Sequence, residues 1–190
     1  GLLAPADPRA ALVEKYAVTR VLDRDGRVLH ALTAEGRDRH RPLALQHASP
    51  HLVAATLAAE DQRFWQHAGV DGLASLRALG QNLRRGRVVS GASTLTQQLC
   101  KWLAPRERTL VAKLREAGAA IGLEGALTKP EILSLYLEFA PYGGLQRGAE
   151  QASWAWLGKP AAALTVAEAA WLAVLPRSPT RLDPGRDAPA

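Results

Sequence analysis

Apolar positions along the chain follow one period near the front and another everywhere after it. Residues 17–32 place Val18, Val21 and Leu22 before Asp25-Gly26, and Val28 and Leu29 after it. Two such runs around Asp-Gly predict a β-hairpin. Residues 33–48 are charged and irregular and read as a loop. Ser49-Pro50 then opens a helix, with Ser as N-cap and Pro in the first turn, and Leu52, Val53 and Leu57 carry it to Glu60. Asp71 to Arg85 is amphipathic, with Leu73, Leu76, Leu79 and Leu83 at three- and four-residue steps. A glycine- and serine-bearing loop over 86–93 leads into a helix from Thr94 to Leu103. A long helix follows from Arg106 to Leu127, with Leu110, Leu114, Ala117 and Ile121 as its predicted buried stripe. Thr128-Lys129-Pro130-Glu131 and Thr165-Val166-Ala167-Glu168 are capping boxes, the first starting a helix through Leu137 and the second a helix stopped by Pro176. Residues 177–190, rich in Pro and Arg, read as a linker. The pattern predicts a mainly α fold with one small N-terminal β-hairpin and no internal repeat.

Composition narrows this to one globular domain. The 190 residues suffice for a single core, and 47% hydrophobic with 22% charged residues is ordinary for a folded chain. The net charge of +6 points to an anionic partner. Of nucleic acid, a phosphorylated ligand and an anionic membrane surface, nucleic acid is the weakest candidate: the basic residues are scattered, and no helix-turn-helix, zinc or aromatic ribonucleoprotein signature is present. Cys100 is the single cysteine, so neither an internal disulfide nor a Cys-based zinc site can form. His30, His40, His47, His51 and His67 show no metal-ligand spacing, which predicts no protein-built metal site. No run reaches the roughly 18 to 20 apolar residues of a membrane span, and no signal peptide is present. A chain that begins at Gly1 and lacks methionine is expected to be a piece of something longer.

Two segments carry polar groups that a core does not need. Glu60-Asp61-Gln62-Arg63-Phe64-Trp65-Gln66-His67-Ala68-Gly69 puts adjacent carboxylates at the end of an apolar helix. If that helix continued, Glu60, Phe64 and His67 would share a face. Gly91-Ala92-Ser93-Thr94-Leu95-Thr96-Gln97-Gln98-Leu99-Cys100-Lys101 crowds hydroxyls, amides and an ammonium together. Polar groups at that density need partners, because burying them unpaired costs a few kcal/mol each. Glu116 follows on the long helix with Lys113 one turn before it, where a surface ion pair is the ordinary outcome. Lys101, Arg108, Lys113 and Arg115 fall close in sequence. Beside a Ser/Thr/Gln-rich helix start they form a credible diphosphate site, although no P-loop is present.

The order of these segments resembles the family-51 peptidoglycan glycosyltransferases. The first two segments resemble that family's first two motifs, and Lys113-Leu114-Arg115-Glu116 resembles its third. Lys129 through Leu137 resembles the fourth, and Gly148 through Gly158-Lys159 the fifth. Ala140-Pro141-Tyr142-Gly143-Gly144 and Leu175-Pro176-Arg177-Ser178-Pro179 are most similar to the type 1C group of class A penicillin-binding proteins. The match covers residues 17–184. Two positions depart from the pattern: Ala112 stands where the third motif usually has Arg, and Glu138 where the fourth usually ends in Asn.

The resemblance implies a lysozyme-like helical domain that polymerises lipid II into glycan strands and releases undecaprenyl diphosphate. Glu60 would be general base on the acceptor hydroxyl, and Glu116 would assist at the leaving group. Asp61, Arg63, Phe64, His67, Ser93, Thr94, Gln97 and Gln98 would contact substrate. Lys101, Arg108, Lys113 and Arg115 would hold the diphosphate, with a divalent cation (Mg or Mn) and no organic cofactor. It also implies residues 1–16 as a segment leading from a membrane anchor, 17–176 as the catalytic domain, and 177–190 as a linker towards a transpeptidase domain. Residues 70–92 would be a mobile segment against an anionic membrane on the periplasmic side; an ordinary core helix is the alternative for Leu73 to Leu83. Partners would be lipid II, the growing glycan and other cell-wall synthesis proteins. Two rival readings remain: a lytic transglycosylase or glycosidase on the same fold, and a non-catalytic cell-wall binding module.

Overall fold

The computed structural model describes residues 7–16, 18–22, 24–25, 28–33, 39–85, 93–104 and 109–185. Helix α1 (Pro8–Tyr16) precedes a hairpin of β1 (Val18–Leu22) and β2 (Val28–Thr33), antiparallel with an irregularity at Val21/Leu22. The segment expected to be all loop holds a short strand, β3 (Arg39–His40), and a 3-10 turn at Leu45–His47. Helices α2 (Pro50–Glu60), α3 (Gly72–Arg85), α4 (Leu95–Leu103), α5 (Leu110–Ala126) and α6 (Lys129–Phe139) follow. Strand β4 (Gln146–Arg147) then pairs with β3 in parallel, and α7 (Ala149–Leu157) and α8 (Val166–Val174) complete the order.

Local chemistry explains most boundaries. The Ser49 side chain accepts from His51 N–H at the start of α2, with Pro50 in the first turn. Thr94, Thr128 and Thr165 each form a capping box, with Gln97, Glu131 and Glu168 as the third helical residues. Helix α6 is the hub: Ile132, Leu133, Leu135, Tyr136, Leu137, Glu138 and Phe139 are all buried. A helix buried on every side must lie inside a layer of others, and α1, α4 and α7 pack around it. Helix α2 packs on α8.

Three readings need correction. The buried stripe of α5 does not run through Leu114 and Ile121, and Ala117 is half-buried, while the Leu110 side chain lies outside the described residues. Ala120 and Leu123 are fully buried and Ala112, Glu116, Ala119 and Leu127 half-buried, whereas Leu114 is 74% and Ile121 55% exposed. The helix has two apolar faces, and the small-residue face is the one turned inward, where α4 packs against α5. Next, Glu60, Phe64 and His67 do not share a helix. Asp61 is the C-cap of α2, with φ −157° and ψ 74°, and Phe64 sits in a separate 3-10 turn. Helices α1 and α7 were also missed. In α1, Leu12 is fully buried, Lys15 Nζ donates to the Trp102 carbonyl at 2.9 Å, and the Tyr16 ring lies 3.8 Å under the Arg147 guanidinium.

Residues 177–185 fold back on the body. A Cβ at Gly143 would meet Asp183 Cα at 3.2 Å, and one at Gly185 would meet the Trp156 ring at 3.4 Å. Among the described residues no helix is long and apolar enough to cross a membrane.

Candidate active site

The site forms where the C-terminus of α2 meets the N-terminus of α4. The Asp61 N–H closes α2 on the Leu57 carbonyl at 3.0 Å, so the backbone turns away directly after Glu60. The Asp61 carboxylate then accepts from Leu95 N–H at 3.0 Å and from His67 Nε2 at 3.0 Å. It thereby satisfies an orphan donor in the first turn of α4 and lies where a helix favours negative charge. Thr94 adds a second tie, donating its hydroxyl to the Gly69 carbonyl at 2.6 Å.

These contacts change the standing of several expected substrate contacts. Asp61, Phe64, Thr94 and Gln97 are buried, and the His67 side chain is 4% exposed. Asp61, Thr94 and Gln97 spend their polar atoms on one another and on the backbone. Phe64 is 0% exposed and packs under Lys129, whose Nζ lies 4.3 Å from the ring centre. Much of the polar density in the two motifs thus holds the scaffold together, while Asp61, Arg63, Ser93 and Thr94 also line the cleft beside Glu60 and the buried Phe64 does not. Arg63 is held at the rim: Nη1 lies 3.4 Å from Asp71 Oδ1, and Asp71 also caps α3 by accepting from Ala74 N–H.

Glu60 is different. Gln98 Nε2 donates to its Oε2 at 2.8 Å, and Gln98 Oε1 lies 3.5 Å from the Tyr136 hydroxyl that donates to it. Burial pushes the Glu60 pKa above the usual carboxylate value, while the Gln98 hydrogen bond and the Arg177 charge pull the other way. Its carboxylate opens on a cleft whose walls include Arg63, Arg77, Ser93 and Arg177.

Of the four cations expected around a diphosphate, Lys113 reaches the cleft edge, donating to Ser93 Oγ at 2.8 Å and pairing with Glu116. Lys101 and Arg115 are exposed, and Arg108 lies outside the described residues. Glu116 is held by Lys113 as an i,i+3 ion pair and is not among the residues lining the cleft around Glu60. Arg77 and Arg177 are the cations that sequence reasoning missed. Arg77 lies on α3, where the leucine stripe drew the reading, and Arg177 follows Pro176 in what read as linker. Among the described residues no group of three or more His, Cys, Asp or Glu could hold a metal ion.

A family model described as "Transglycosylase" matches residues 25–190. Penicillin-binding protein 1C of Escherichia coli is 47% identical over 145 residues, covering 76% of this chain and 19% of that protein. Penicillin-binding protein 1A of Aquifex aeolicus is 37% identical over 181 residues, covering 93% of this chain and 24% of the other. The biosynthetic peptidoglycan transglycosylase of Nitrosospira multiformis is 38% identical over 152 residues, 80% of this chain and 66% of that one. The chain thus spans about a fifth to a quarter of the penicillin-binding relatives it matches.

Proposed function

This chain belongs to the family-51 transglycosylases, and from that premise we propose that it polymerises lipid II with Glu60 as general base. The observation that carries the reading is the Glu60 carboxylate itself. It ends an apolar helix, is fixed by Gln98, and is made more basic than a surface glutamate by burial. In the proposed step it takes the proton of the acceptor's 4-hydroxyl as that oxygen attacks the donor's anomeric carbon. The new C–O bond forms as the bond to the diphosphate breaks, with inversion at that carbon.

Cations favour synthesis over glycan cleavage. Arg77 and Arg177 line the cleft and Lys113 holds Ser93 at its edge, which suits an anionic leaving group better than a neutral glycan. Lys101 and Arg115, both exposed, would extend this basic surface, and Glu116 would keep Lys113 in place as well as assist at the leaving group. A divalent cation would arrive with the substrate diphosphate and neutralise its charge. A lytic or binding-only role has no use for these cations beside a fixed base.

Exposed apolar side chains support a membrane-facing surface. Leu73 is 60% and Leu76 67% exposed on α3, which ends in exposed Arg84 and Arg85, and Val111 and Leu114 are exposed on α5. The domain would work at the outer face of the cytoplasmic membrane, within a longer anchored protein.

Glu60→Gln keeps the shape and removes the base. Polymerisation of lipid II should fall about 10²–10⁴-fold with the fold intact by circular dichroism, and near wild-type turnover would refute the assignment. Degradation of finished glycan by the unmodified protein would instead establish the lytic reading.

A further inference from the structure

Glu124 in the last turn of α5, Lys129 at the start of α6, Thr96 on α4 and Phe64 in the first motif meet in one enclosed cluster that the general-base reading does not use. Lys129 Nζ donates to Glu124 Oε1 at 2.7 Å, and the Thr96 hydroxyl donates to the same oxygen at 2.6 Å. The Lys129 ammonium also lies 4.3 Å from the centre of the Phe64 ring, within cation–π reach. Thr96 and Phe64 are fully buried, and the side chains of Lys129 and Glu124 are 18% and 8% exposed. An ion pair this enclosed often adds no more stability than apolar side chains of the same volume. What it adds here is a fixed geometry among three helices and a turn.

Each arm of the cluster ends at one partner of the Glu60–Gln98 hydrogen bond. Thr96 and Gln98 are two residues apart on α4, which sets their side chains about 200° apart around the helix. Thr96 is thus held on Glu124 while Gln98 points to the opposite side, where its Nε2 reaches Glu60 Oε2 at 2.8 Å. On the other arm, Phe64 N–H donates to the Asp61 carbonyl at 3.0 Å, which ties the ring to the residue after Glu60. Leu95 N–H and the Thr94 hydroxyl already pin the start of α4 to Asp61 and Gly69. A helix pinned at one end can still roll about its axis, and a roll carries Gln98 off Glu60.

We propose that Lys129 and Glu124 are positioning residues for the general base: holding Phe64 on one side and Thr96 on the other, they set the roll of α4 against the first motif and keep Gln98 on Glu60. A hydrogen bond donated to a carboxylate favours its ionised form, so Gln98 opposes the burial that pushes the Glu60 pKa up. The inference deepens the general-base reading and rests on it.

The test is the pH dependence of kcat/KM for lipid II polymerisation in Lys129→Met, Thr96→Val, Thr96→Ser and Gln98→Ala, with Glu60→Gln as the reference for loss of the base. Losing the Gln98 donor raises the Glu60 pKa, and the base works only when ionised. The acid limb of Gln98→Ala should therefore move up by about one pH unit, roughly tenfold lower activity at the acid end. Lys129→Met and Thr96→Val should move it the same way by about half a unit or more, and neither should move it further in the Gln98→Ala background. Thr96→Val leaves every charge in place, including Asp61 and Arg177, the other charges acting on Glu60. Its shift therefore cannot come from removing a cation, and Thr96→Ser, which keeps the hydroxyl, should restore the wild-type limb. If thermal denaturation shows Lys129→Met to be unfolded, the Thr96 pair decides. Acid limbs that superimpose on wild type, a uniform loss at every pH, or shifts that add to that of Gln98→Ala, with Glu60→Gln inactive, would overturn the positioning role alone. An active Glu60→Gln would remove the general-base reading and this inference together.

Discussion

Gly69 joins the first motif to α5 so closely that a single methyl group should disturb both stability and the site. Its φ is +88°, and a Cβ there would lie 2.6 Å from the backbone C and O of Ala120 and 2.9 Å from Ile121 N. The neighbour is helix backbone, which cannot rotate aside as a side chain could. Alanine in that conformation costs about 1–3 kcal/mol, and overpacking adds about 1–3 kcal/mol more. Gly69→Ala should therefore lose about 2–6 kcal/mol, a large share of the roughly 5–15 kcal/mol that holds a domain folded. Activity should fall as well, because the Gly69 carbonyl accepts from Thr94, the cap of α4, beside the Ser93 that meets Lys113. Gly122→Ala on α5 is the control: nothing lies within 4 Å of its added Cβ, and a helical Gly→Ala gains about 0.5–1 kcal/mol. Urea denaturation of both variants measures the difference. A Gly69→Ala midpoint equal to wild type, or equal losses in both variants, would refute the reasoning.

The buried Glu138 makes a pH-dependent prediction. Burial raises its pKa despite Arg9, whose Nη2 lies 3.1 Å from Oε2. A carboxyl with a raised folded pKa contributes most stability below its unfolded value of 4.5, and that contribution is lost as pH climbs towards the folded value. Glu138→Gln should therefore melt higher than wild type at neutral pH, with the gap closing towards acid; a gap independent of pH in calorimetry would contradict this. Arg9→Ala should cost about 1–2 kcal/mol at neutral pH, Arg9 being half-exposed, and almost nothing in the Glu138→Gln background. Leu76→Asp should change stability by less than about 0.5 kcal/mol, because Leu76 is 67% exposed. It should weaken binding to anionic vesicles; a large drop in melting temperature with vesicle binding unchanged would reject the membrane-facing surface.

Some of this was determined along the chain itself. Ser49-Pro50 and the three Thr capping boxes fix helix starts because the groups that satisfy the orphan N–H donors lie within three residues of them. Asp25-Gly26 between two apolar runs sufficed for the hairpin. Glu60 stood out because a carboxylate ending an apolar helix has no place in a core. What tertiary structure decided were matters of which neighbour comes near. Two apolar faces of α5 have equal claim in sequence, and the approach of α4 chose the alanine face. That Asp61, His67 and Thr94 also tie the first motif to α4, through partners at Leu95 and Gly69 distant in the chain, could not be read from spacing. Arg177 joins Glu60 at the cleft only because α8 packs on α2, and Gln98, between Glu60 and Tyr136, ties α6 to the same point. Periodicity reports which side of an element is apolar; it carries no information about what the fold sets against that side.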